Sequence, residues 1–91
     1  MSAVPARVRL YTSQWCSYCF AARQLLERLG VDYDEIHLDD DPGLRRLVAE
    51  AAGNWTTVPM IFIGDRFVGG FTELVALHRN GRLAELLDGA A

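Results

Sequence analysis

The segment Val8-Arg9-Leu10-Tyr11-Thr12 alternates apolar and polar positions, ends in small polar residues and leads directly into Trp15-Cys16-Ser17-Tyr18-Cys19. That alternation predicts a first strand. Over residues 18–29 the period changes: Ala22, Leu25, Leu26 and Leu29 recur at the three-four spacing of one helical face, and Gly30 suits the position just past a helix end. Residues 32–38 read again as a strand. Asp41-Pro42 then looks like an N-cap followed by proline in the first helical turn, with Leu44, Leu47, Val48 and Ala51 as the buried stripe of a second helix that Gly53 ends. Met60-Ile61-Phe62-Ile63 is unbroken apolar, as in a central strand covered on both faces. Gly64-Asp65 is a two-residue hairpin signal joining it to Arg66-Phe67-Val68, and Gly69-Gly70 closes that strand. Two short helical patterns follow, at 73–78 and 83–87, separated by Asn80-Gly81.

The predicted order is βαβαββαα, an α/β fold. A right-handed crossover makes the first two strands parallel and the hairpin makes the last two antiparallel, so a mixed four-stranded sheet with helices on both faces is the simplest packing. With 91 residues, 51% of them apolar, the chain has room for one core and one domain, 1–91 with its core at about 8–87. No repeat, linker or low-complexity segment interrupts it.

Nine basic against twelve acidic residues give a net charge of -3, with no basic run beyond Arg45-Arg46 and no interleaving of aromatic and basic residues. Nucleic acid and anionic membrane are therefore poor partners. Residues 1–5 lack the charged and apolar segments of a secretory signal, and no later window is long enough to span a bilayer, so a cytoplasmic location is expected. In a reducing compartment a lone dithiol is more often catalytic than structural.

Cys16 and Cys19 are the only cysteines. A C-x-x-C at a strand-to-helix junction sets the first sulfur near free backbone N–H groups and the positive dipole end, which favour a thiolate. Cys16 is then the nucleophile, and Cys19, about one turn further on, is placed to attack a mixed disulfide formed by the first. Structural zinc wants four ligands; no second cysteine pair exists, and His37 and His78 stand apart in a predicted strand and a predicted helix. The run Asp39-Asp40-Asp41 reads as the carboxylates favoured at a helix start, not as a metal loop.

Taken with this element order, the cysteine motif resembles the active site of the glutaredoxins, of the thioredoxin-fold superfamily. Thr57-Val58-Pro59 is similar to that family's T-V-P segment, and Val68-Gly69-Gly70-Phe71-Thr72-Glu73-Leu74 to its glycine-pair loop. The likeness runs from about residue 8 to residue 87. It implies a thioredoxin-like fold and glutathione as co-substrate. It also implies a cis bond before Pro59 and a Val58 backbone that an extended glutathione pairs with like an added strand. Gly70 and the amides of Phe71 and Thr72 would hold the γ-glutamyl carboxylate at a helix start, and Tyr18 would flank the tripeptide. Trp15 is expected to pack beneath the loop, and Trp55 has no assigned role.

Departures from the family pattern matter. Ser13 stands where many members carry a lysine that pairs with the glycyl carboxylate and supports the thiolate. The helix terminus alone contributes about 0.3 to 2 kcal/mol, enough for a moderately activated thiolate. Arg45 or Arg46 on the second predicted helix could supply a partner for that carboxylate, and Thr72 stands where several relatives use aspartate. Ser17 replaces the proline common in the motif, and relatives with this change include some that hold a [2Fe-2S] cluster between two subunits, glutathione completing the ligation; here only Cys16 would serve. The expected function is glutathione-dependent reduction of protein–glutathione mixed disulfides and of protein disulfides, by a monomer that dimerises only around a bridging cluster. The alternatives are a cluster carrier or sensor, and a thioredoxin-like electron donor reduced by a flavin reductase, which leaves the Gly69-Gly70 loop without a use.

Overall fold

A computed structural model describes residues 7–88, so the N-terminal stretch read above for signal character lies outside the described residues. The elements follow in the expected order: β1 (Val8–Thr12), α1 (Ser17–Arg28), β2 (Tyr33–His37), α2 (Pro42–Ala51), β3 (Met60–Ile63), β4 (Arg66–Gly69), α3 (Phe71–Arg79) and α4 (Arg82–Leu87). The four strands form one sheet in the order β2-β1-β3-β4. β1 pairs parallel with β2, Val8 opposite Tyr33, and antiparallel with β3, Val8 opposite Ile63. β3 pairs antiparallel with β4 across the Gly64-Asp65 turn, where Gly64 takes φ 61.

β1 and β3 are the inner strands, and their side chains feed two cores. Val8, Leu10, Ile61 and Ile63 pack on one face with Ala22 and Leu26 of α1, Leu74 of α3, and Leu83 and Leu86 of α4. Tyr11, Met60 and Phe62 pack on the other with Val48 and Ala52. Burial on both faces is why 60–63 shows no alternation. Arg9, the one charged side chain of β1, is half-buried: Nη1 donates to Tyr11 Oη at 3.0 Å, Nη2 to the Gly64 carbonyl at 3.2 Å, and the guanidinium lies 5.1 Å from the Phe62 ring centre.

The helix ends obey local chemistry. Asp41 caps α2, its Oδ1 accepting from Leu44 N–H at 2.9 Å, and Pro42 sits in the first turn. Gly30, just past α1, takes φ 72. The buried stripe of α2 needs a correction: Leu44, Val48 and Ala52 face the sheet, whereas Leu47 is 67% exposed and Ala51 is exposed as well. Spacing of four keeps Leu44, Val48 and Ala52 on one ridge, while Leu47 and Ala51 form the adjacent ridge, which the rotation of the helix turns toward solvent.

Candidate active site

β1 delivers the chain into a short turn, and Cys16 is the N-cap of α1. Its Sγ accepts the Cys19 N–H at 3.1 Å. A sulfur at this position meets the first-turn amides at the N-terminal end of the helix. The Cys16 thiol also donates weakly to the Val58 carbonyl at 3.7 Å, which ties it to the segment before β3. The turn is sharp because Trp15 adopts φ 61, and that conformation throws its indole into solvent, 95% exposed. Trp15 therefore does not pack beneath the loop as the sequence led us to expect.

Cys19 lies one turn into α1 on the inward face with Ala22 and Leu26, fully buried. Burial pushes its thiol up to about 12, helped by its hydrogen bond with Cys16 and opposed by the Ser13 backbone and Arg23. A thiol with a raised value stays protonated throughout the neutral range and ionises only in strong alkali. The two cysteines differ accordingly, one half-buried at the helix tip and one sealed. Iodoacetamide at pH 7.5 should thus modify one thiol per native chain, Cys16, and two after denaturation; peptide mass mapping that finds Cys19 labelled first in the native protein would contradict this.

Tyr18, Thr57, Val58, Pro59, Gly70, Phe71 and Thr72 all line one groove of about 350 Å³. The Val58–Pro59 peptide is cis. On the far wall Gly70 is the N-cap of α3, and no side chain caps the helix in the usual sense. Glu73 instead folds back so that Oε1 accepts the Gly70 N–H at 2.8 Å. Phe71 and Thr72, the first two helical residues, keep N–H groups without intrahelical partners, the arrangement that suits an anion. The Tyr18 and Phe71 rings lie 6.3 Å apart over the groove.

Two lining residues escaped the sequence reading, Trp55 and Glu73. Trp55 packs edge-on against Phe67 at 5.2 Å, beside Gly70, and its Nε1 is buried without a partner among the described residues. It stands outside every recognised motif, so no spacing pointed to it. Glu73 did carry a signal, since a glutamate three residues past an N-cap is half of a capping box.

Arg45 and Arg46 are placed differently. Arg45 is half-buried and reaches the Thr56 carbonyl at 3.5 Å, next to Thr57, whereas Arg46 is exposed. On the other side of Cys16, Ser13, Gln14 and Trp15 share a recess with Arg23, Glu35 and His37. Arg23 is not free to replace the missing lysine: Glu35 Oε2 accepts Arg23 Nη1 at 2.7 Å and the buried Thr12 hydroxyl at 2.7 Å. Since Thr12 gives its only proton to Glu35, the 3.2 Å contact with His37 Nδ1 has the ring nitrogen as donor.

Among the described residues no group of three or more His, Cys, Asp or Glu is placed to hold a metal. With Cys19 sealed, one chain offers a [2Fe-2S] cluster a single sulfur, so its own residues do not make such a site.

Residues 8–68 match the glutaredoxin family model. Among curated proteins, a glutaredoxin of Pseudomonas aeruginosa is 52% identical over 81 residues, covering 89% of this chain and 95% of that protein. Among solved structures, the glutaredoxin of Brucella melitensis is similar at TM-score 0.83 and 39% identity, covering 96% of this chain and 94% of that one. A buckwheat glutaredoxin–glutathione complex is similar at TM-score 0.77 and 31% identity, covering 93% and 81%.

Proposed function

The chain belongs to the glutaredoxin family, and from that premise we propose that it reduces protein–glutathione mixed disulfides, and protein disulfides, with glutathione as the electron donor. The observation that carries this reading is the position of one sulfur: Cys16 Sγ sits at the tip of α1, 3.7 Å from the Val58 carbonyl, beside a groove lined by Tyr18, Val58, Phe71 and Thr72. Its 350 Å³ lies within the range of small-molecule pockets, about 300 to 1,000 Å³. The glutathione complex of the buckwheat relative supports the same ligand here.

In this mechanism the γ-glutamyl carboxylate lies on the Phe71 and Thr72 amides, the tripeptide backbone runs along Val58, and Arg45 takes the glycyl carboxylate. So held, glutathione presents its sulfur to Cys16. The Cys16 thiolate attacks that sulfur, the old disulfide breaks, and the target protein leaves as a thiolate that takes a proton from water. A second glutathione thiolate attacks the glutathionyl sulfur on Cys16, releasing oxidised glutathione and regenerating the Cys16 thiolate. When a protein disulfide is the substrate, Cys19 attacks Cys16 Sγ and gives up its proton to the departing target thiolate, closing an internal disulfide; two glutathiones then reduce that disulfide in turn and leave as oxidised glutathione. We propose a monomer as the working unit and the cytoplasm as its compartment, since glutathione is kept reduced there.

Turnover of a glutathionylated peptide, with glutathione recycled by its reductase, tests the proposal. Cys19→Ser should retain deglutathionylation while protein-disulfide reduction falls at least about tenfold, because an intramolecular attack is lost. Activity with a thioredoxin reductase and none with glutathione would reverse the reading in favour of a thioredoxin-like donor.

A further inference from the structure

We propose that the trough between α1 and α3 docks the polypeptide of the substrate, taking a segment with an apolar side chain near the reactive sulfur and carboxylates about four residues further along. The inference deepens the oxidoreductase reading and rests on it.

Two ridges form the walls. Phe20, Gln24 and Arg28 recur at every fourth position on α1, and Phe71, Val75 and Arg79 do the same on α3; all six line one trough of about 600 Å³. Both helices start at the active site, α1 beside Cys16 and α3 beside Gly70, so the two phenylalanines mark the near end and the two arginines the far end. Phe71 also lines the groove proposed for glutathione, so the two depressions adjoin at that ring. Eight residues of helix rise about 12 Å, the reach of roughly four extended residues.

The surface chemistry of the trough is selective. Phe20 is 56% and Leu29 37% exposed, two of the large apolar side chains that folding leaves in water, and both lie here. Arg28, His78 and Arg79 line the far end, and among the described residues no carboxylate lines the trough. Among the described residues none of the three has a carboxylate within 4.0 Å. The nearest acidic side chains in sequence are turned elsewhere: Glu27 accepts the Tyr33 hydroxyl at 2.6 Å and Glu73 is folded onto Gly70. In a chain of net charge -3, a basic apolar channel leading to the reactive sulfur is out of character with the rest of the surface. Basic residues near helix C-termini also complement the dipole, but that accounts for the charge and not for the bare Phe20 and Leu29. Every one of the nine basic residues is arginine, whose fork matches a carboxylate.

The test uses two glutathionylated peptides of equal length that differ only in glutamate against glutamine at the fourth and fifth positions from the cysteine. The acidic peptide should have a KM about three- to tenfold lower, and the advantage should vanish at 0.5 M salt and in the Arg28→Glu/Arg79→Glu variant. Turnover of a glutathione mixed disulfide with a two-carbon thiol should be the same in variant and wild type. Equal KM values for the two peptides, or a preference that survives the double reversal, overturns the proposal. So does a concentration-dependent dimer that the reversal abolishes, since the trough would then belong to a second copy. A cysteine-free acidic peptide gives a readout without turnover: its amide shift changes should follow α1 and α3, and changes confined to other elements refute the docking site. Loss of wild-type turnover on the small disulfide would instead defeat the oxidoreductase reading, and the shift map would still decide the docking site.

Discussion

Cys16→Ser should lower turnover of glutathionylated and disulfide substrates by at least about a thousandfold while leaving the fold intact. Serine offers no sulfur to form the mixed disulfide, and its hydroxyl does not ionise near neutral pH, so both reactions lose their first step. The structural side runs the other way. Cys16 occupies the N-cap of α1 and accepts the Cys19 N–H, a job that a serine hydroxyl does at least as well. Stability should therefore stay within about 0.5 kcal/mol of the parent, which denaturant unfolding measures directly. Near-normal turnover in this variant would remove Cys16 from the mechanism.

Gly69→Ala, one residue before the groove-lining Gly70, should be a severely damaging conservative change. Gly69 takes φ 128, where an L side chain is strained, and a Cβ there would meet Glu73 Cγ at 2.6 Å and Glu73 Cβ at 2.7 Å. The Cβ of Glu73 is fixed by α3, so rotating the side chain does not relieve the clash. Strain and overpacking together cost about 2 to 4 kcal/mol, or a Tm lower by roughly 10 to 25 °C for a domain of this size. Glu73 would also be driven off the Gly70 N–H, loosening the start of α3 where the ligand carboxylate is proposed to sit, and KM for glutathione should rise with it. Gly30→Ala is the comparison: φ is 72 there, but nothing lies within 4 Å of the new carbon. Equal losses of stability in the two variants would show that crowding by Glu73 is not the cause.

Local rules carried most of the architecture. The change from a strand period to a helical one around the cysteines, the Asp41-Pro42 cap and the Gly64-Asp65 turn each depend on neighbours within a few residues, and each stands where expected. The dithiol was legible for the same reason, since a strand-to-helix junction places Cys16 at a helix tip whatever the rest of the chain does. The groove was legible through resemblance: Thr57-Val58-Pro59 and Gly70-Phe71-Thr72 are separate motifs that periodicity alone does not bring together, yet they line the same depression with Tyr18.

What sequence by itself determined, then, is the order of elements, the parallel pairing of β1 with β2, the antiparallel pairing of β3 with β4, and the place of the dithiol at a strand-to-helix junction. Tertiary structure alone decided how those elements are turned and what meets across long separations. Val48 and Ala52 went inward and Leu47 outward, Trp15 went into solvent while Trp55 came to line the groove, Arg45 and not Arg46 reached the Thr56 carbonyl, and Glu35 engaged Arg23. The physical reason is that hydrogen-bonded periodicity constrains a backbone locally, whereas the rotation of a helix about its axis is set by the close packing of side chains brought from distant parts of the chain.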